Sequence, residues 1–407
     1  MTVGAVTGLG TIAPTGLTTE QCWAAALAGT SGLGPITRFA ADRYPVKVAG
    51  EVTGFDAAGL LTSRLLPQTD HMTRLALVAA DEAVADAGVT PGDLPDLGLG
   101  VVTASASGGF EFGQRELEKL WSKGPGHVSA YQSFAWFYAV NTGQISIRHG
   151  MRGPSGVLVG EQAGGLDVVA QACRQLRDGT QLVVTGGVDS SLCPWGLVAQ
   201  IPSGRLSPVD DPARAYLPFD VDATGCVPGE GGAILVVEDL DAARDRGRVP
   251  DDVYGLVVGW GATFDPPHLV ADPDGVRRAA TIALARADVQ PEDVDLVLAD
   301  AAGTPELDRC EAAALSALFG PRGVPVTAPK AAVGRLYSGG ASLDVALALL
   351  SIRDQVIPPT IGTTALVDGD ELDLVLGQPR EAAVRVVLVL ARGYGGFNSA
   401  LVVRSAD

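Results

Sequence analysis

Basic charge is what this sequence has least of. The 407 residues carry 29 Lys and Arg against 47 Asp and Glu, a net charge of -18. The longest basic run is the pair Arg277-Arg278. A nucleic-acid binder needs a basic footprint to displace phosphate counterions, so that class is excluded. The same sign repels an anionic membrane surface. Long apolar runs are also absent, and no stretch approaches the length needed to span a bilayer. The opening MTVGAVTGLGTIAPTG has neither a basic n-region nor a continuous apolar h-region, so no signal peptide and a cytoplasmic location are expected. Cysteine is scarce: Cys22, Cys173, Cys193, Cys226 and Cys310 form no CxxC pair, and their number is odd. Free, buried thiols in a reducing compartment are expected. His71, His127, His149 and His268 stand at no metal-ligand spacing with them, so no metal site is expected.

What is present is a globular composition, 47% hydrophobic and 19% charged. The 52 Gly and 26 Pro imply many tight turns between short elements. Short β-branched runs alternate with Ala/Leu-rich helical stretches. Strands are expected at 3–10, 97–105, 156–160, 182–187, 231–239, 254–261, 294–300, 384–393 and 400–405. Helices are expected at 72–88, 163–176, 275–289, 306–320 and 339–355. That alternation predicts an α/β fold on a mostly parallel, buried sheet. QAGGLDVVAQA (162–172) is echoed by SGGASLDVALA (338–348), each with paired Gly, then Leu-Asp-Val, then a helix. The echo suits two similar halves, 1–250 and 251–407, divided where RGRVPDD reads as a linker.

The chemistry is expected in GVLVGEQAGGLDVVAQA, a strand running into a Gly turn and straight into a helix. Such an elbow places its apex at a helix N-terminus, where N–H groups and the dipole favour negative charge. A Cys or Ser there becomes a nucleophile facing an oxyanion site. Here the apex is Gln162, whose carboxamide has no ionisable nucleophile.

At these residues the chain resembles the condensing enzymes of the thiolase superfamily, and among them the chain length factor, or ketosynthase beta subunit, of bacterial aromatic type II polyketide synthases. NTGQISIRHGMRGP (141–154), GEQAGG (160–165), LPFDVDATGCVPGEGGA (217–233), AGTPELDRCEAAAL (302–315), PKAAVGRLYSGG (329–340) and GYGGFNSA (393–400) occur in family order. The resemblance runs essentially end to end and implies a thiolase-like fold, two pseudo-repeated halves in a layered αβαβα sandwich. It also implies where catalysis has been lost. Gln162 stands at the position of the catalytic Cys, and Asp300 at the His that opens a His-Gly-Thr-Gly-Thr-Pro motif. Lys330 is kept, but Arg335 stands at the second His. Aspartate and arginine cannot reproduce two neutral imidazoles near pH 7, so the chain is not expected to condense acyl groups by itself. Cys22, Cys173 and Cys226 have no His at a partner position and read as small buried hydrophobes. In active relatives both His approach one sulfur, so Asp300 and Arg335 are expected to form a buried ion pair plugging the relic site. Gln162 reads either as a filler bonded to the elbow or as a thioester mimic that decarboxylates malonyl-carrier protein to an acetyl primer.

GGFEFGQRELEKLWSKG (108–124) reads as an amphipathic helix or helical hairpin, with Phe110, Gly113, Leu117 and Leu120 on one face. Periodicity alone makes that stripe core packing. The resemblance instead implies that it lines a tunnel shared with a catalytic ketosynthase, with Phe110, Gly113 and Leu117 as gatekeepers and Trp195 nearby. Gly113 has no side chain and Leu117 is smaller than Phe, which implies a roomier tunnel and a decaketide rather than an octaketide. The implied assembly is a heterodimer with the Cys-bearing ketosynthase alpha subunit. No cofactor is implied beyond the phosphopantetheine arm of an acyl carrier protein, which is expected to dock mainly on the ketosynthase because carrier proteins are acidic too. Two rival readings are a Gln162-dependent decarboxylase and a purely structural partner.

Overall fold

The computed structural model describes residues 3–406 apart from 91, 93, 96, 250–251, 267–270, 368 and 370. The expected division at residue 250 falls on residues 250–251, and His268 on 267–270; both lie outside the described residues. The first half comprises β1 (Gly4–Ile12), α1 (His71–Asp86), β2 (Leu99–Ala104), α2 (Phe110–Lys123), α3 (Val140–His149), β3 (Ser155–Leu158), α4 (Glu161–Arg177), β4 (Leu182–Asp189), α5 (Pro194–Gln200) and β5 (Gly231–Asp239). The second comprises β6 (Gly255–Phe264), α6 (Pro273–Ala287), β7 (Leu296–Leu298), α7 (Pro305–Phe319), β8 (Pro325–Thr327), α8 (Ser338–Asp354), β9 (Val386–Arg392) and β10 (Phe397–Arg404). Caps set the helix starts: Asp70 accepts from Met72 N–H at α1, Asp272 from Asp274 N–H at α6, and Pro occupies the first position of α6 and α7.

One sheet runs β8-β7-β9-β10-β6-β1-β5-β4-β2-β3, with Asp373–Leu374 beyond β8. Numbered within its own half, each set of five strands has the order third, second, fourth, fifth, first. The fold is therefore a duplication. The sheet is mixed, not mostly parallel as the alternation suggested. β2 pairs parallel with β3 and β4, and β7 with β8 and β9. All pairings from β4 through β5, β1, β6 and β10 to β9 are antiparallel. These strands are covered on both faces, so they read as unbroken apolar runs whichever way they point.

α1 covers the outer face of the first half, and α6 packs on the outer face of the second beside α7. α4 and α8 pack on each other between the two halves. This gives the five αβαβα layers. The 162–172 and 338–348 echo is the start of these two central helices. There Gly165 lies so near α8 that a Cβ would overlap Ser338 O. The outer layers repeat a second device. A Cβ on Gly8 or Gly10 of β1 would overlap the Ala83 or Ala79 carbonyl of α1; on Gly259 or Gly261 of β6 it would overlap that of Ala283 or Ala279 of α6. Bare backbone lets each helix sit directly on its strand.

Candidate functional site

Only residues 159–160 separate β3 from α4, so the first α4 side chains are thrown inward at the seam of the two halves. Glu161 takes φ +49°, a left-handed conformation unusual for a side chain with a Cβ. Gln162 is fully buried. Its Nε2 donates to Asp300 Oδ1 at 3.1 Å, an orientation the carboxylate dictates because it can only accept. Its Oε1 has no donor among the described residues, and a Cβ on Gly340 would come 2.9 Å from it. The first turn of α8 thus makes room for the amide and closes over it.

Asp300, just past β7, is fully buried. It faces Arg335, whose two Nη atoms each lie 3.5 Å from one carboxylate oxygen, so the expected ion pair is present. Asp300 Oδ1 also accepts Arg392 N–H at 2.8 Å. Burial pushes its carboxyl up, but Arg335, Lys330 and the Arg392 N–H outweigh it and hold it below the usual carboxylate range. Arg335 Nε donates to Glu161 Oε1 at 3.0 Å, and its Nη2 donates to the Arg392 carbonyl. Burial opposes its charge, yet Asp300 and Glu161 raise its pKa well above the ordinary value. Glu161 Oε2 accepts Tyr394 N–H at 2.7 Å, drawing in the 393–396 turn. Lys330 Nζ is buried 2.6 Å from Asp344 Oδ2. The group is a closed ionic knot with no unbound base and no nucleophile.

The wider surroundings agree. Burial pushes the thiols of Cys22 and Cys226 up to about 11 and that of Cys173 up to about 12, so none is a thiolate near neutrality. All five cysteines are free and buried. Among the described residues no cluster of three or more His, Cys, Asp or Glu could hold a metal, and no helix is long and apolar enough to cross a membrane.

The second candidate region is α2, a single helix. Its buried positions are Phe112, Gly113 and Glu116, whereas Phe110, Leu117 and Leu120 are half-buried. Of the stripe, Gly113 alone is buried, and its three large side chains lie at the surface of the core. Phe110 stacks on Trp195, with ring centroids 4.7 Å apart and planes 7° apart. Gln114 Oε1 accepts Trp195 N–H at 2.8 Å. A Cβ on Gly113 would meet Trp195 Cζ3 at 2.9 Å. The space left by Gly113 is thus taken up by the indole. Exposed Trp121, Trp136, Phe137 and Val198 extend the apolar surface around α2 and α5.

The sequence matches the model of the beta-ketoacyl synthase N-terminal domain over residues 4–243 and that of the C-terminal domain over residues 254–364. The chain belongs to the beta-ketoacyl synthase family. Within that family it is similar to the tetracenomycin polyketide synthase ketoacyl synthase beta subunit of Streptomyces glaucescens, 63% identical over 98% of this chain and 97% of that one. It is 59% identical to the actinorhodin polyketide putative beta-ketoacyl synthase 2 of Streptomyces coelicolor, over 98% of each chain. Among solved structures, the ishigamide ketosynthase/chain length factor matches with TM-score 0.91 and 27% identity over 100% of each chain. The thiolase-like fold expected from the motifs is the fold observed.

Against the beta-ketoacyl synthase pattern, Gln162, Asp300 and Arg335 come together as the sequence implied. Glu161, Arg392 and Tyr394 were not foreseen. Glu161 adjoins Gln162 in GEQAGG, a charge at a tight Gly turn, and that was the available signal. Its inward swing follows from the positive φ, and the Arg392 and Tyr394 contacts from the β9–β10 turn.

Proposed function

We propose that this chain is a non-condensing chain length factor that pairs with a Cys-bearing ketosynthase and shapes the tunnel in which a poly-β-ketone grows. The observation that carries it is the knot itself: Gln162, Asp300 and Arg335 replace the three catalytic groups and are locked to one another and to Glu161. A subunit with no centre of its own acts through a partner, and α2 and α5 offer the apolar surface for that.

The same closure argues against decarboxylation at Gln162. An enolate oxygen needs donors aimed at it, and the Gln162 Nε2 is already bonded to Asp300. Gln162→Ala should leave malonyl-carrier-protein decarboxylation by the complex unchanged, as read by acetyl-carrier-protein formation. Phosphopantetheine enters only as the carrier protein's arm, and with a net charge of -18 on this chain the acidic carrier docks mainly on the ketosynthase.

The product is a decaketide rather than an octaketide. Gly113 lets the Trp195 indole lie against α2 rather than stand away from it, and Leu117 is shorter than Phe. The deciding experiment is native mass spectrometry of the chain co-expressed with its ketosynthase, followed by product analysis of the complex. A one-to-one complex is expected, and Gly113→Thr with Leu117→Phe should shorten the major product. A homodimer that ignores the ketosynthase overturns the proposal. An intact complex whose product length ignores both substitutions leaves a purely structural partner.

A further inference from the structure

Phe110 and Trp195 belong to segments far apart in the chain, and a third residue reaches both. Arg38 Nε donates to Leu192 O at 3.2 Å, three residues before Trp195. Its Nη2 bonds Glu111, the neighbour of Phe110. Its Nη1 lies 3.6 Å from Glu230 Oε1. Glu230 is a fixed anchor: it is fully buried, accepts Val52 N–H at 2.9 Å and Ser190 Oγ–H at 2.6 Å, and has His71 Nε2 at 3.4 Å. Arg38 is itself held, because its backbone N–H donates to Glu51 Oε1 at 3.1 Å. The planar guanidinium thus spends its fork on three places at once, which a single ammonium cannot do.

The rest of the frame is rigid. Asp70 caps α1 through Met72 N–H at 2.8 Å and accepts Phe112 N–H at 2.7 Å, pinning the backbone of the first α2 turn. Between that turn and the 190–195 segment, which Ser190 ties to Glu230, there remains a separation to be bridged. Arg38 spans that separation.

We propose that Arg38 is a positioning residue for product length, fixing the spacing of α2 and the Trp195 segment and so the aperture set by the Phe110–Trp195 stack. The inference rests on the tunnel reading. With Arg38 in place the stack has one geometry and one chain length dominates. Without it, α2 and α5 keep the stack, the indole packing on Gly113 and the Gln114 bond but lose the charged clamp, and the aperture varies.

The test uses the complex with the ketosynthase, comparing wild type with Arg38→Met, Arg38→Lys, Glu111→Gln and the Gly113→Thr/Leu117→Phe pair. The readouts are the ratio of minor to major chain lengths, total polyketide and the melting temperature of the complex. Arg38→Met should raise that ratio about threefold or more, well within what a misplaced positioning group can cost. Arg38→Lys should fall between it and wild type. A merely structural role would lower all lengths together and leave the ratio fixed, which overturns the inference. Should Arg38→Met fail to assemble, Glu111→Gln removes the same clamp from the α2 side at a partly exposed residue, and the same ratio decides. If the Gly113/Leu117 pair shifts length while the Arg38 and Glu111 variants do not, the Arg38 inference falls alone. If none shifts length, the tunnel reading falls and takes it along.

Discussion

A carboxylate buried without a partner ordinarily takes up a proton. Asp300 stays ionised because Arg335 and the Arg392 N–H meet it. Removing one side of such a pair costs more than the pair contributes. Arg335→Ala should therefore destabilise the fold by about 3–5 kcal/mol, read from the urea midpoint, since Asp300 and Glu161 both lose their cation. Asp308 behaves in the opposite sense. Burial pushes its carboxyl up to about 8 although Phe219 and Gly303 N–H groups donate to it. In the unfolded chain it titrates near 4, so the folded state holds the proton more tightly. Its contribution is full below about pH 4 and is lost as pH rises through about 8. Glu311, pushed up by burial and by Asp300 to about 7, works in the same direction. The melting temperature should decline between about pH 4 and pH 8, and Asp308→Asn should flatten that decline. At this scale Gln162, Asp300 and Arg335 were legible as a group because they sit inside dense motifs. The Glu161 contact was not, because it depends on a backbone angle that composition does not encode.

Among the elements, α2 shows what periodicity can and cannot supply. The helix and its stripe were legible from spacing. That Phe110 and Leu117 lie half-open while Phe112 and Glu116 go inward was not, because it depends on how the first turn of α2 is pinned to Asp70 at the start of α1. Trp195 came from resemblance alone, and its stacking needs α5 in place. The packing also assigns different routes to the two tunnel substitutions. Gly113→Thr must displace the indole, whereas Leu117→Phe adds bulk where the helix is half-open; the two should shorten the product by more than either alone. In β1 the constraint is backbone on backbone. Gly10→Ala forces a Cβ into Ala79 O and should lower stability by about 1–3 kcal/mol, with Gly261→Ala on β6 giving a matching loss against Ala279 O.

For the molecule as a whole, the short echo in the two central helices was a true trace of duplication. A second trace lay in plain sight, since VTGLG (6–10) and VVGWG (257–261) each carry the spaced glycines that seat α1 and α6. Strand direction was illegible for the reason that layers hide it: both faces are covered, so antiparallel strands look like parallel ones. The ionic knot has a consequence at this scale. Glu161 belongs to the first half, while Asp300, Arg335 and Arg392 belong to the second. The knot rivets the two halves, and Asp300 and Arg335 at its centre are buried away from counterions. The halves should therefore melt together, in one calorimetric transition whose midpoint added salt hardly moves.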